Sequence, residues 1–528
     1  MKETKRIQIN GVRVTYKDGG RDFEAEAISK AAALIKKKTG RTPVDLKIAK
    51  KSIDARREIS FVYSVCASID AGGKIKSDPD IKEYSDAELS PIHGTDELNH
   101  RPVIVGFGPA GMFAGLLLAE NGYAPLILER GASVEERTQA VERFIKEGIL
   151  DTSTNIQFGA GGAGTFSDGK LTTRINDPLV SYVLRKLYEL GAPEDILYKA
   201  KPHIGTDILR RVVANTDWRI RELGGEIRYK ATAKNISGGK LEVDGETIPF
   251  DALILATGHS ARDTYAELMN SGFMVEPKPF SVGVRAEHLQ ADIDRAMFKE
   301  YAGDPYLGHA EYQLSYRRGE RGCYTFCMCP GGTVVPSASE EFGVVTNGMS
   351  TRARDGRNAN AAVCVSVLPE DYGSDPRRAI EFQRNLERRA YEEGGRDYTA
   401  PMQTVGDLFE GKFGTEYSKI VPTYRDGAVK PCDLTKIFPG FVCEMLKEGL
   451  SDFGKRIKGY DEASVPLTGV ETRTSAPVRI LRGEDGVALG KAGIYPCGEG
   501  AGYAGGIVSA AVDGLRIATK IIEKYREK

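Results

Sequence analysis

The most constraining stretch of this 528-residue chain is Val103-Ile104-Val105-Gly106-Phe107-Gly108-Pro109-Ala110-Gly111, followed by Pro125 to Leu128 and then Glu129. Val103 to Val105 is an apolar run suited to a strand buried on both faces. It leads into Gly106, where the chain must turn tightly into a helix. Gly108 lets the backbone approach a pyrophosphate, and Gly111 and Gly115 let the helix lie close on the strand. Pro109 and Ala110 open that helix, whose free N–H groups and positive dipole end attract phosphate. Met112, Leu116, Leu117 and Ala119 are expected to face the sheet. Glu129 stands 23 residues beyond Gly106, the spacing at which a carboxylate accepts hydrogen bonds from ribose hydroxyls. A glycine turn alone says little. Strand, turn, helix and acid together predict a site for an adenine dinucleotide.

The length gives room for two or three domains and a large core. A net charge of −1 predicts no bulk affinity for polyanions. Eight cysteines without framework spacing predict free thiols in a reducing compartment. Met1 to Arg6 lacks the apolar centre of a leader, and no run of eighteen apolar residues occurs. The expectation is a cytoplasmic protein with no membrane partner.

Residues 1–71 read as a separate α+β module. Ile28, Ala31, Ala32 and Ile35 fall at helical spacing before Gly40, whereas Val44, Leu46, Ile48 and later Ile59, Phe61, Tyr63, Val65 alternate as in strands. With a strand near Arg6 to Tyr16, the order is β-α-β-β and the expectation is a ferredoxin-like unit. Residues 1–60 carry sixteen Lys or Arg against eight Asp or Glu. An RNA-contacting or partner-docking surface is one reading of that charge. A solvated face fits better, because no RNP-like aromatic pattern or GxxG loop accompanies it. Residues 72–100, with Gly72-Gly73, Asp78-Pro79 and Ser90-Pro91, read as a linker.

Three further glycine-rich segments follow the fingerprint. Phe158 to Lys170 is so poor in side chains that its backbone must approach something closely, and Gly161, Gly162, Thr165 and Lys170 are its candidate contacts. The strand Ala252 to Ala256 ends at Thr257-Gly258, after a helix at about 209–222 and strands at 226–233 and 240–250. Gly493 to Gly500 precedes Gly502-Tyr503-Ala504-Gly505-Gly506-Ile507 and a last helix through Ile522.

These residues resemble the glutathione-reductase-type FAD superfamily, and within it the bacterial proteins described as FAD-dependent or NAD-utilising dehydrogenases. Lys201 to Asp207, Pro279 to Arg285, Thr346 to Ser350 and Gly469 to Pro477 carry the closer resemblance. A more distant one runs to geranylgeranyl reductases and aromatic hydroxylases. It implies an α/β fold: a Rossmann-like FAD/NAD(P)-binding domain in three ββα layers at 101–278 and 477–528, with a mixed α/β substrate domain inserted at 279–476. It implies that Gly106, Gly108, Pro109, Ala110 and Gly111 cradle the FAD pyrophosphate and that Glu129 binds ribose. Arg130 and Arg137 resemble the arginine near the adenosine and pyrophosphate. Ala256 and Gly258 match the strand end before the chain leaves the FAD domain. Gly498-Glu499 stands where the superfamily usually has Gly-Asp against the ribityl chain, and Gly505, Gly506 and Ile507 would meet the N1 and C2 side of the flavin.

The implied activity is hydride transfer between an unidentified small organic substrate and FAD, with transient NAD(P)H or an electron-transfer protein as further partner. A flavin monooxygenase and an RNA-modifying or RNA-binding flavoprotein are the alternatives. No second GxGxxG domain for NAD(P)H is recognised and no Cys-x4-Cys pair follows the fingerprint, so a disulfide reductase is set aside. No metal site is expected. Cys323, Cys327 and Cys329 read as buried thiols on one side of a strand, since their spacing is not that of zinc or common iron–sulfur sites. His203 and His259 read as core or capping residues, His259 also as a candidate flavin or substrate contact. No catalytic side chain is singled out.

Overall fold

A computed structural model describes residues 4–16, 22–56, 58–71, 78–85, 88–414 and 419–527. The first three residues of the charged N-terminus and the Gly72-Gly73 turn lie outside them.

The N-terminal module has strand β1 (Thr4–Thr15), helix α1 (Phe23–Thr39), β2 (Val44–Asp54) and β3 (Ser60–Asp70), joined by β4 (Ile81–Glu83) in an antiparallel sheet of order β2-β3-β1-β4. Asp22 caps α1 by accepting from the Ala25 amide at 2.9 Å, and Gly40 ends it with φ 72°. The buried stripe of α1 is Phe23, Ala27, Ala31 and Ile35, so Ile28 and Ala32 flank it instead of lying at its centre. The antiparallel strand order agrees with the ferredoxin-like expectation, although among the described residues one helix, not two, covers this sheet. The segment expected as a linker supplies β4, and further on the Gly94 amide donates to the Ile522 carbonyl at 2.8 Å. The module's core is continuous with that of the unit inserted at residues 279–476: Tyr16 lies 5.0 Å from Tyr301 and Phe23 5.5 Å from Tyr306, ring to ring. Lys51 also exchanges backbone hydrogen bonds with Tyr198 and Ala200 at 2.7 and 2.8 Å.

The middle unit is built on β5 (Val103–Val105), α2 (Pro109–Glu120), β6 (Leu126–Leu128) and α3 (Val134–Glu147). Its parallel sheet has the order Ile494–Pro496, Leu253–Leu255, β5, β6, Glu226–Arg228. Successive residues point to opposite faces. Ile104, Ile127 and Ile254 pack against helices, and Val103, Val105, Leu126, Leu128, Leu253 and Leu255 pack toward the antiparallel strands of residues 234–249. Helix α2 is buried from Ala110 to Ala119, so no single stripe faces the sheet. The helices Thr206–Glu222 and Ile507–Lys524 cover its other sides. A Cβ at Gly514 would stand 2.2 Å from the Ala110 carbonyl oxygen, which shows how closely the last helix lies on α2.

Strands Val275–Pro277 and Val478–Ile480 pair antiparallel, so the chain enters and leaves the third unit side by side. That unit has a seven-stranded mixed sheet whose centre is Asn358–Val367, Phe280–Leu289 and Pro466–Glu471. Helices Pro376–Gly394 and Gly440–Arg456 pack on it. Among the described residues no helix is long and apolar enough to cross a membrane.

Candidate cofactor and substrate cavity

The fingerprint folds as its glycines dictate. Gly106 has φ 104°, and a Cβ there would lie 2.3 Å from the Ala256 carbonyl oxygen, so only glycine lets β5 turn beside the neighbouring strand. Helix α2 then starts at Pro109 with Gly108 as an extended N-cap and no side-chain cap, which leaves its first-turn amides pointing into the cavity. Glu129, 5% exposed, accepts from the amides of Phe107, Gly131 and Gly159 at 2.8, 2.9 and 3.0 Å. Its carboxylate therefore ties the fingerprint to the second glycine loop, while still lining the cavity. Arg130 also lines it, with its guanidinium 4.5 Å from the Phe158 ring and 2.7 Å from Asp263.

Arg137 is placed differently. It is fully buried, and its guanidinium donates to the carbonyls of Asn155, Ile156, Gly159, Ala160 and Gly162 at 2.5–3.2 Å. All five of its donors are thereby spent on the glycine loop, so it holds the loop and does not line the cavity. Gly111, Gly161, Thr165 and Gly498 likewise sit behind the wall. Thr165 donates to Ala160, and the Gly498 amide to Asp513 at 2.7 Å. Gly162, Lys170, Ala256 and Gly258 do line it, as do Glu499, Gly505, Gly506 and Ile507. The Gly505 amide is spent on Ser509 Oγ at 3.1 Å, which leaves the cavity the first amides of the uncapped helix Ile507–Lys524.

Charge in the cavity is governed by burial. The Glu499 carboxyl is pushed up to about 7 by burial, which the Lys278 ammonium only partly offsets. His259 lines the cavity 3.0 Å from Ser260 Oγ, and burial, then Arg473 and Arg262, push it down to about 3, so it is neutral at pH 7. Behind it Arg262 and Arg473 clasp Glu387 at 2.8–3.0 Å. Burial pushes that carboxyl up, but the two guanidinium groups outweigh it and hold it well below the usual range. His203, also pushed down to about 4 chiefly by burial, meets the Arg352 carbonyl at 3.3 Å and does not line the cavity.

The inserted unit closes the cavity with Phe326, and with Asn347, Gly348 and Glu471 from two of the stretches that carry the resemblance but had been given no role. The cysteine expectation is corrected here. Cys323 and Cys329 are buried, but Cys327 is exposed into the cavity. A bulge between Phe326 and Cys329 breaks the strand's alternation, and Cys327 sits in it with φ 44°. Among the described residues no group of three or more His, Cys, Asp or Glu is placed to hold a metal.

A flavin dinucleotide fits this arrangement. Two uncapped helix N-termini open on one cavity, one beside a glycine turn that a Cβ would fill and a buried acid, the other beside Glu499.

Residues 279–474 match the family described as "FAD-dependent protein, C-terminal domain-like". An uncharacterized protein of Clostridium beijerinckii (strain ATCC 51743 / NCIMB 8052) is 45% identical over 533 residues, covering 98% of this chain and 99% of that one. Among solved structures, CtdE in complex with FAD covers 80% of this chain and 83% of its own at 11% identity and a TM-score of 0.31. A variant of the halogenase PltM in complex with FAD covers 82% and 72% at 12% identity and 0.36. TM-scores of that size carry no argument about fold or function. FAD is the cofactor. With its Clostridium relative, the chain belongs to a family of FAD-dependent flavoproteins.

Proposed function

We propose that the protein is a cytoplasmic FAD-dependent oxidoreductase that moves a hydride between an organic substrate and FAD, with NAD(P)H or a redox protein as the second partner. One observation carries this reading: the two uncapped helix ends open on a single cavity, part of whose wall belongs to the inserted unit. When bound, FAD supplies two-electron chemistry at its ring. The chain's own part is to bind, orient and balance charge. The α2 amides and Glu129 hold the dinucleotide end. The positive end of the helix Ile507–Lys524 stabilises negative charge at its tip without solvent reorganisation. Glu499, half-protonated near neutral pH, takes up or gives a proton in the same space. Among the described residues one parallel sheet carries a fingerprint turn joined to a buried acid, Gly106 with Glu129, so a nicotinamide enters the substrate end of this cavity transiently.

The test is a single turnover. FAD-loaded protein is reduced with dithionite and mixed without oxygen with conjugated C=C and C=N compounds. Reoxidation faster than that of free reduced FAD with at least one of them is expected. Rates matching free flavin throughout would remove the oxidoreductase reading.

A further inference from the structure

The wall contributed by the inserted unit is rich in unspent donors, and the cause is one buried guanidinium. Arg285 is fully buried and donates to the Glu471 carboxylate through Nε and Nη2, both at 3.0 Å. Its Nη1 donates to the Cys327 carbonyl at 2.9 Å and to Asn360 Oδ1 at 3.1 Å, and its Nη2 also to Asn347 Oδ1 at 3.0 Å. A guanidinium has no acceptor, so it fixes which way each amide points. Asn347 Oδ1 takes a second bond from the Gly348 amide at 2.8 Å, which fills its acceptor. Its Nδ2 has no protein partner among the described residues, and Asn347 lines the cavity. Asn360, held the same way behind Gly348, also has an unspent Nδ2, wholly buried.

Two neighbours add to this donor. Lys170 lines the cavity and donates to the Met328 carbonyl, which leaves ammonium protons to spare. Cys327 brings a thiol to the same wall. The acids here are already compensated. Glu471 is held by Arg285, and Asp168 by Arg354 at 2.6 and 3.0 Å. Around Lys170, three cations (Lys170, Arg354 and Lys201) stand against two acids, Asp168 and Glu311. Of the charged side chains lining this end of the cavity, Asp168 and Glu471 are thus taken up by buried arginines, while Lys170 keeps donors to spare.

We infer that Asn347, Lys170 and Cys327 form a substrate subsite for a hydrogen-bond-accepting oxygen, that of a carboxylate or a conjugated carbonyl, held in the cavity that takes FAD. The subsite deepens the oxidoreductase reading and rests on it. Asn347 Nδ2 and Lys170 Nζ grip the oxygen, and Cys327 packs against the group attached to it. The substrate is thus an organic acid or a conjugated carbonyl compound.

The test uses FAD-loaded protein titrated with cinnamate and with benzoate, read as a change in flavin absorbance. A saturable change is expected with at least one. Asn347→Asp keeps an acceptor for Arg285 and Gly348 but replaces the donor with an oxygen. It should retain FAD and weaken cinnamate at least tenfold, as should Lys170→Met, the usual scale for a hydrogen bond to a charged group. Cinnamate binding in Asn347→Asp equal to wild type, or no saturable change with either acid, overturns the subsite while leaving FAD binding intact. Failure to hold FAD would instead strike the functional reading itself.

Discussion

The two walls of the cavity are made by different means. On the dinucleotide side the backbone does the work: a glycine turn, an uncapped helix end and Glu129 at fixed spacing in sequence, with a second uncapped helix end beside Glu499 brought in from the C-terminal segment. On the inserted side the work is done by side chains from residues 326–329, 347–348 and 471, which meet only because the strands bearing them lie near one another. The first wall is specified by what it must leave out, a Cβ. The second is specified by where one buried arginine sends its five donors.

Breaking either of two buried guanidinium networks behind the cavity should have the largest effect on stability. Arg137→Ala strands five loop carbonyls and should cost about 3–5 kcal/mol of unfolding free energy, with loss of FAD, in urea titrations followed by flavin fluorescence. Glu387→Gln leaves Arg262 and Arg473 facing each other without their carboxylate, at a similar cost. FAD affinity in that folded variant should stay within a few-fold of wild type, because Glu387 does not line the cavity. Equal loss of FAD in both would show that the glycine loop held by Arg137 has no special part in holding the cofactor.

Gly106→Ala forces a Cβ against Ala256 at φ 104° and should cost at least about 2 kcal/mol together with FAD retention. Retention of FAD at wild-type strength would show that the turn relaxes.

pH separates the two buried acids further. The folded Glu499 carboxyl, at about 7 against 4.5, binds its proton more tightly than the unfolded chain does. Its contribution is therefore greatest below the ordinary glutamate range and is lost as pH rises to about 7, on the order of 2–3 kcal/mol at most. Glu387 is held low, so its contribution is present above that range and lost as pH falls. Thermal melts of FAD-free protein should show Glu499→Gln flattening the neutral-side slope and leaving the acid side unchanged. The smallest effect is expected for Asn347→Asp, with stability within about 0.5 kcal/mol of wild type.

Legibility in the sequence follows the same division. Strand, turn, helix and acid around Gly106 are readable because each needs a particular residue at a particular offset. The role of Arg137 is not, because its partners are main-chain carbonyls, which leave no mark on residue identity. Helix α1 shows the limit of periodicity: Ala31 and Ile35 are correctly central, yet the stripe continues back to Ala27 and Phe23, one turn at a time, and not to Ile28. The cysteines show another. Three cysteines at odd positions read as one face of a strand, and only the bulge at Cys327 turns one of them into the cavity. Asn347, ordinary in sequence, gains its meaning from Arg285, which lies 62 residues away.

The most direct measurement is the flavin content of the purified chain, by absorbance after denaturation, for wild type and Glu129→Ala. The account predicts one FAD per chain in the wild type and at least tenfold weaker retention in the variant. A colourless wild-type protein that takes up no added FAD would contradict it.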